Sequence, residues 1–178
     1  MQEERRKVAV LLEDDYEDLE LWYPYYRLIE AGYEPVLIGP KVGTYRGKHG
    51  YEAKTALSAD RADARDLLGV IVPGGYAPDR LRRHASVVEF VRSAFDQGLL
   101  VASICHGGSL LVSANVVRGR KVTSFHSIEV DLINAGARYM DREVVVDGNL
   151  ITSRSPADLP AFMREVLRFF KEMKTKSD

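Results

Sequence analysis

Residues 99–111 read Leu-Leu-Val-Ala-Ser-Ile-Cys-His-Gly-Gly-Ser-Leu-Leu: an apolar run, the chain's single thiol, a histidine, two glycines and a second apolar run. This layout predicts a buried strand that turns sharply into a helix. It is the form of a nucleophile elbow, which lifts one side chain above the carboxyl end of a parallel strand. Cys105 then stands at the positive end of the next helix, where the thiolate is favoured, so a thiol pKa well below about 8.5 is expected. Gly107 and Gly108 leave room for backbone N–H groups to face a developing oxyanion. A cysteine of the ordinary core needs no such glycines, which weaken a helix start unless backbone must approach something closely.

The flanking pattern extends the argument to the whole chain. Val8, Ala9, Val10, Leu11 and Leu12 form a second continuous apolar run, and Val70, Ile71 and Val72 a third, closed by Pro73-Gly74-Gly75. Such runs are strands covered on both faces. Between them, Leu19, Trp22, Tyr26 and Ile29 recur at helical spacing, with Asp15 a candidate N-cap and Gly32 the stop. Pro24 lies inside this segment and is expected to kink or break it. Residues 86–97 and 160–174 carry further helical patterns, and residues 144–151 read as a hairpin around Asp147-Gly148. The alternation implies an α/β fold with a mostly parallel sheet, over one domain spanning residues 1–178. In such sheets, sites collect at the carboxyl ends of strands. Residues 13–17, 73–79 and 105–108 leave strands there.

Composition narrows the function classes. Lys plus Arg number 25 against 26 Asp plus Glu, a formal net charge of -1 that gives no reason to expect nucleic acid or anionic membrane as partner. One cysteine excludes an intrachain disulfide and fits a reducing cytoplasm. The charged N-terminus shows no apolar leader, and no segment is long enough to span a membrane. The four histidines are scattered and lack ligand spacing, so neither a metal nor another cofactor is expected.

Several groups are candidates to meet the thiol. Glu17, just after the first strand, is expected to touch Cys105 with a protonated carboxyl, as hydrogen-bond donor or general acid and base. His106 is the adjacent base. His126, after Thr123-Ser124-Phe125 at another strand end, is a further candidate for the same pocket.

Together, Ala102-Ser103-Ile104-Cys105-His106-Gly107, Val72-Pro73-Gly74-Gly75-Tyr76-Ala77-Pro78-Asp79, Glu17-Asp18-Leu19-Glu20 and Val144-Val145-Val146-Asp147-Gly148-Asn149 closely resemble the ThiJ/PfpI superfamily. Within it, Trp22-Tyr23-Pro24-Tyr25-Tyr26-Arg27 and Ser153-Arg154-Ser155-Pro156 resemble the PfpI-type intracellular protease/amidase branch. The resemblance implies a flavodoxin-like three-layer sandwich with Cys105 on the elbow. It also implies a Glu17 contact, His106 alongside, Gly74 and Gly75 in the substrate or oxyanion site, and homo-oligomers from dimer to hexamer. A carboxylate from a neighbouring subunit completes the site in that branch; the matching residue is Asp79, where Glu is frequent. Gly108 stands where Pro is common, and Phe125-His126 replaces an aromatic–proline pair. The related class I glutamine amidotransferases carry a C-terminal His-x-Glu pair that is absent from Ser153-Arg154-Ser155-Pro156. The implied activity is cysteine-dependent hydrolysis of peptide amides, or deglycase and glyoxalase action on methylglyoxal and its adducts. The alternative is an oxidation-sensing or chaperone-like stress protein without turnover.

Overall fold

The computed structural model describes residues 7–177. The reading of a charged, leader-free N-terminus falls mainly on residues 1–6, outside the described residues. In chain order the strands are β1 (Lys7–Leu11), β2 (Glu34–Gly39), β3 (Thr44–Arg46), β4 (Glu52–Lys54), β5 (Leu57–Ser58), β6 (Gly69–Val72), β7 (Leu100–Ile104), β8 (Lys121–Val122), β9 (Arg138–Tyr139), β10 (Val144–Asp147) and β11 (Leu150–Ser153). The helices are α1 (Asp18–Glu30), α2 (Ala77–Leu81), α3 (Ala85–Asp96), α4 (Gly108–Ser113), α5 (Glu129–Asn134) and α6 (Leu159–Ser177). Seven strands form the central sheet in the order β10-β11-β7-β6-β1-β2-β5. Its pairings are parallel except for the β10–β11 hairpin.

The continuous apolar runs are explained by helices on both faces. Val8 and Val10 pack with Leu21 and Leu28 of α1 and with Phe162, Met163, Val166 and Phe170 of α6. The intervening Ala9 and Leu11 point the other way, into a core with Val87, Phe90 and Val91 of α3 and Leu110 and Leu111 of α4. The central strands β1, β6 and β7 therefore bury both of their side-chain rows, at about 1.5–3 kcal/mol per large apolar side chain. The result is the three-layer α/β sandwich. Among the described residues no helix is long and apolar enough to cross a membrane.

The chain leaves β1 through α1 on one face and β6 through α2 and α3 on the other. The reversal opens a crevice at the carboxyl ends of β1, β6 and β7.

Helix α1 departs from expectation twice. It runs through Pro24 as one helix, although the ring removes the donor that would serve the Glu20 carbonyl. It also turns its Leu19, Tyr26 and Ile29 stripe outward, and buries Glu20, Leu21, Pro24 and Leu28 instead. Its N-cap is Glu17, because Asp15 sits in a left-handed conformation (φ 62°) before the helix begins.

Candidate active site

Cys105 is the centre of the crevice. Ile104 is still extended (φ -130°, ψ 147°), Cys105 is left-handed (φ 59°), and a short 3-10 turn, Cys105–Gly107, leads into α4. A side chain held at positive φ costs of order 1–3 kcal/mol and persists only where its surroundings impose it. Those surroundings are close backbone contacts. A Cβ on Gly107 would lie 2.5 Å from the carbonyl oxygen of Val72, so the glycine lets the elbow settle on the end of β6. Packing, not an oxyanion, is what requires Gly107.

Gly74 and Gly75 press the loop after β6 onto the segment after β1. Glu17 N–H donates to the Gly74 carbonyl (3.1 Å) and Tyr76 N–H to the Asp15 carbonyl (2.9 Å). Gly75 is left-handed (φ 77°), and a Cβ there would lie 2.5 Å from the Glu17 nitrogen. A Cβ on Gly74 would lie 2.5 Å from Glu20 Oε2 and 2.8 Å from Cys105 Cβ. These two distances show how the crevice is filled: by Glu20.

Glu20, not Glu17, meets the thiol. Its side chain is fully buried in the first turn of α1, and Oε2 accepts the Gly74 N–H at 2.7 Å. The same carboxyl is coupled to Cys105 by charge and by a side-chain hydrogen bond. Oε1 is buried and has no hydrogen-bond partner among the described residues. Because the Gly74 N–H is committed to Glu20, it is not free to serve an oxyanion, contrary to the sequence expectation. The Gly75 and His106 N–H groups face the sulfur instead.

The electrostatics of the pair follow from burial. Burial pushes the Glu20 carboxyl up to about 7, the Gly74 N–H opposes that rise, and the nearby Glu17 charge adds to it. Burial and then the Glu20 charge push the Cys105 thiol up to about 12, against the N–H groups of His106 and Gly75. The expectation of a low thiol pKa from the helix end alone is therefore not met. The elbow is enclosed by a carboxyl, and the two groups titrate as a unit. Above about 7 the pair holds one proton, and a thiolate exists when that proton resides on Glu20.

Glu17 occupies a neighbouring position. Its carboxylate pairs with Lys48 Nζ at 2.7 Å and faces His49 Nε2 at 3.6 Å. The loop carrying Lys48 is fixed by the Asp18 carboxylate, which accepts the N–H groups of His49 (2.9 Å) and Tyr51 (3.1 Å).

His106 is half-buried, and burial, Lys48 and His126 together hold its imidazole below the usual range. Its ring stands 5.1 Å from that of Phe125, which stands 4.4 Å from that of the exposed His126. Phe125 N–H donates to the Cys105 carbonyl (3.2 Å), tying this stack to the elbow. Asp79 is exposed and bound within its own chain to Arg83 (2.8 Å), which holds its carboxyl below the usual range.

Sequence reasoning missed Glu20 and Lys48. The spacing of Glu20, Pro24 and Leu28 marks the buried face of α1, but the more apolar Leu19-Trp22-Tyr26 stripe masked it. Lys48, between Gly47 and Gly50, carries no comparable signal.

A model of the DJ-1/PfpI family matches residues 6–169. Deglycase PH1704 of Pyrococcus horikoshii is 47% identical over 165 residues, covering 93% of this chain and 99% of the relative. Protein/nucleic acid deglycase 2 of Escherichia coli is 44% identical over 167 residues, covering 92% and 96%. Among solved structures, a two-domain protein with DJ-1/ThiJ/PfpI-like and ferritin-like domains from Anabaena variabilis superposes with a TM-score of 0.92 at 42% identity. That match covers 93% of this chain and 48% of the Anabaena protein.

Proposed function

The chain belongs to the DJ-1/PfpI family, and from that premise we propose that it is a cysteine-dependent deglycase acting on methylglyoxal and its adducts with amines and thiols. The observation that carries the reading is Cys105 on a left-handed elbow sharing a proton with the buried Glu20. Relatives spanning the same length carry the deglycase name.

In this reading the Cys105 thiolate adds to the aldehyde carbon, and the carbonyl electron pair moves onto oxygen. The N–H groups of Gly75 and His106 stand beside the sulfur to receive that charge. Glu20, carrying the proton, supplies it to the oxygen. His106, kept neutral near pH 7 by its surroundings, takes the proton from the former aldehyde carbon to give an enediol; that proton returns to the neighbouring carbon while the hydroxyl proton on the former aldehyde oxygen passes to the former ketone oxygen, leaving a thioester with a 2-hydroxyl. The thioester so formed is hydrolysed by water. In an adduct, the hemiaminal or hemithioacetal first collapses: its C–N or C–S bond breaks, its hydroxyl proton goes to the departing amine or thiol, and the free aldehyde then reacts as above. The net reaction converts the 2-oxoaldehyde and water to a 2-hydroxy acid and needs no external oxidant.

We place the protein in a reducing compartment, the cytoplasm, where a lone catalytic thiol survives. We also place Asp79 across a subunit contact. In support, Asp79 is exposed, its side chain 65% accessible beside Arg83. The outward aromatic stripe of α1 supplies apolar surface suited to assembly.

The test compares lactate formation from methylglyoxal with hydrolysis of a peptide amide, using wild type and Cys105→Ala from matched preparations. Cys105-dependent lactate formation supports the reading. Peptide cleavage without lactate formation would replace it with amidase action, and no Cys105-dependent turnover would refute both.

A further inference from the structure

Strand β11 ends beside the elbow. Ser153 pairs in register with Ile104, so Arg154 and Ser155 leave the sheet next to Cys105. Glu20 and the loop after β6 fill the β1 side of the thiol. On the β11 side lies a cleft of about 300 Å³, whose walls include Phe125, His126, Glu129, Tyr139, Asp141 and Arg154. Phe125 joins it to the elbow: its N–H donates to the Cys105 carbonyl (3.2 Å), and its ring stands 5.1 Å from that of His106. The other walls are also fixed. The Tyr139 hydroxyl donates to the Ser124 carbonyl (3.0 Å), and Arg154 donates to both carboxylate oxygens of Asp158 (2.8 and 3.2 Å) and to Asp141 (2.9 Å).

We propose that this cleft is a guanidinium subsite, which takes an arginine side chain neighbouring the modified residue of a polypeptide substrate. The inference deepens the proposed function and rests on it for the reacting aldehyde. The recognition itself makes and breaks no covalent bond.

Charge sets the class of ligand. Arg154 is the one guanidinium or ammonium group lining the cleft, and Asp158 and Asp141 already neutralise it. The Glu129 carboxylate has no ion-pair partner among the described residues. The cleft therefore carries excess negative charge and holds one carboxylate ready to accept hydrogen bonds. Shape narrows the class further. Phe125 and Tyr139 bring aromatic rings to the same walls. A planar guanidinium stacks on such a ring while donating two parallel N–H bonds to a carboxylate, whereas an ammonium acts as a point charge. Position identifies the source. Neither Cys105 nor His106 lines the cleft, and the Phe125 ring lies 5.1 Å from His106 and 4.4 Å from His126. A group seated there is set off from the reacting carbon. Extended chain advances about 3.3 Å per residue, so a near neighbour of the modified residue spans the gap.

The experiment uses the purified full chain in its native assembly and titration calorimetry. The probe is the unmodified tripeptide amide acetyl-alanyl-arginyl-alanine, with versions carrying lysine or the neutral isostere citrulline in place of arginine. Wild type is expected to bind the arginine peptide about tenfold more tightly than the citrulline peptide and about threefold more tightly than the lysine peptide. Glu129→Gln is expected to weaken arginine-peptide binding about tenfold. Glu129 is exposed, so its replacement leaves the core intact. Glu89→Gln on α3 removes the same charge outside the cleft and is expected to bind like wild type. No arginine preference in wild type, unchanged binding in folded Glu129→Gln, or an equal loss in Glu89→Gln overturns the proposal. Arginine preference lost only in Glu129→Gln, with no Cys105-dependent lactate formation from methylglyoxal by wild type, upholds the cleft and refutes the proposed function. Lactate formation without arginine preference refutes the cleft alone.

Discussion

Replacing Glu20 by Gln exchanges activity for stability, and the size of the exchange can be worked out. The Glu20 carboxyl rises from the usual 4.5 to about 7, with burial as the leading cause. An acid whose folded pKa is raised contributes stability that is complete below its unfolded value and is lost as pH rises through the folded value. The window therefore runs from about 4.5 to about 7. The rise is about 2.5 pH units, which corresponds to about 3 kcal/mol of lost stability by pH 8. The Glu20→Gln side chain is isosteric: its oxygen can accept the Gly74 N–H and its amide can donate toward sulfur, with no charge to bury. The variant should match wild type within about 1 kcal/mol near pH 4.5 and exceed it by about 3 kcal/mol near pH 8. It should also lose turnover, because an amide cannot carry the proton. Urea denaturation of both proteins across this range, at one protein concentration, provides the measurement. Parallel stability curves for the two proteins would refute the assignment of a buried, titrating Glu20.

The elbow strain predicts that Cys105→Gly is about 1 kcal/mol more stable than Cys105→Ala, since glycine accepts positive φ; equal urea midpoints at equal m-values would contradict it. Gly75→Ala combines φ 77° with a Cβ 2.5 Å from the Glu17 nitrogen, so it should lower stability by about 3 kcal/mol and slow Cys105 alkylation. A folded variant with wild-type reactivity would show that the loop gives way freely. The proposed role of Asp79 predicts complementation: dissociated and reassembled mixtures of Cys105→Ala and Asp79→Ala chains should recover activity that neither has alone. No recovery in mixed assemblies confirmed by mass would place the whole site within one chain.

The parts of this molecule that were legible in its sequence are those set by local rules. Uninterrupted apolar runs at residues 8–12, 70–72 and 99–102 announce strands buried on both sides, because no half-exposed strand tolerates them. The step from such a run into Cys105-His106-Gly107-Gly108 announces the elbow, because only a tight turn against a neighbouring strand needs glycine there. Long-range packing was not legible. The choice between Glu17 and Glu20 depends on which face of α1 meets the sheet, and hydrophobicity alone points to the wrong one. Leu19, Trp22, Tyr26 and Ile29 form the more apolar stripe, yet Leu19, Tyr26 and Ile29 are exposed, while the buried face carries a carboxyl and a proline.

That inversion has a physical logic tied to the site. A helix selected only for stability would bury its apolar stripe and leave Glu20 in water, at an ordinary acidity. Turning Glu20 inward forfeits part of the hydrophobic gain and raises the carboxyl's proton affinity into the neutral range, the range in which an acid beside a thiol exchanges protons usefully. The same rotation leaves the aromatic stripe uncovered on a single chain. Local amphipathicity and the site's proton chemistry thus make opposite demands on one helix. The orientation of α1 satisfies the chemistry, at the expense of the pattern by which a sequence is ordinarily read.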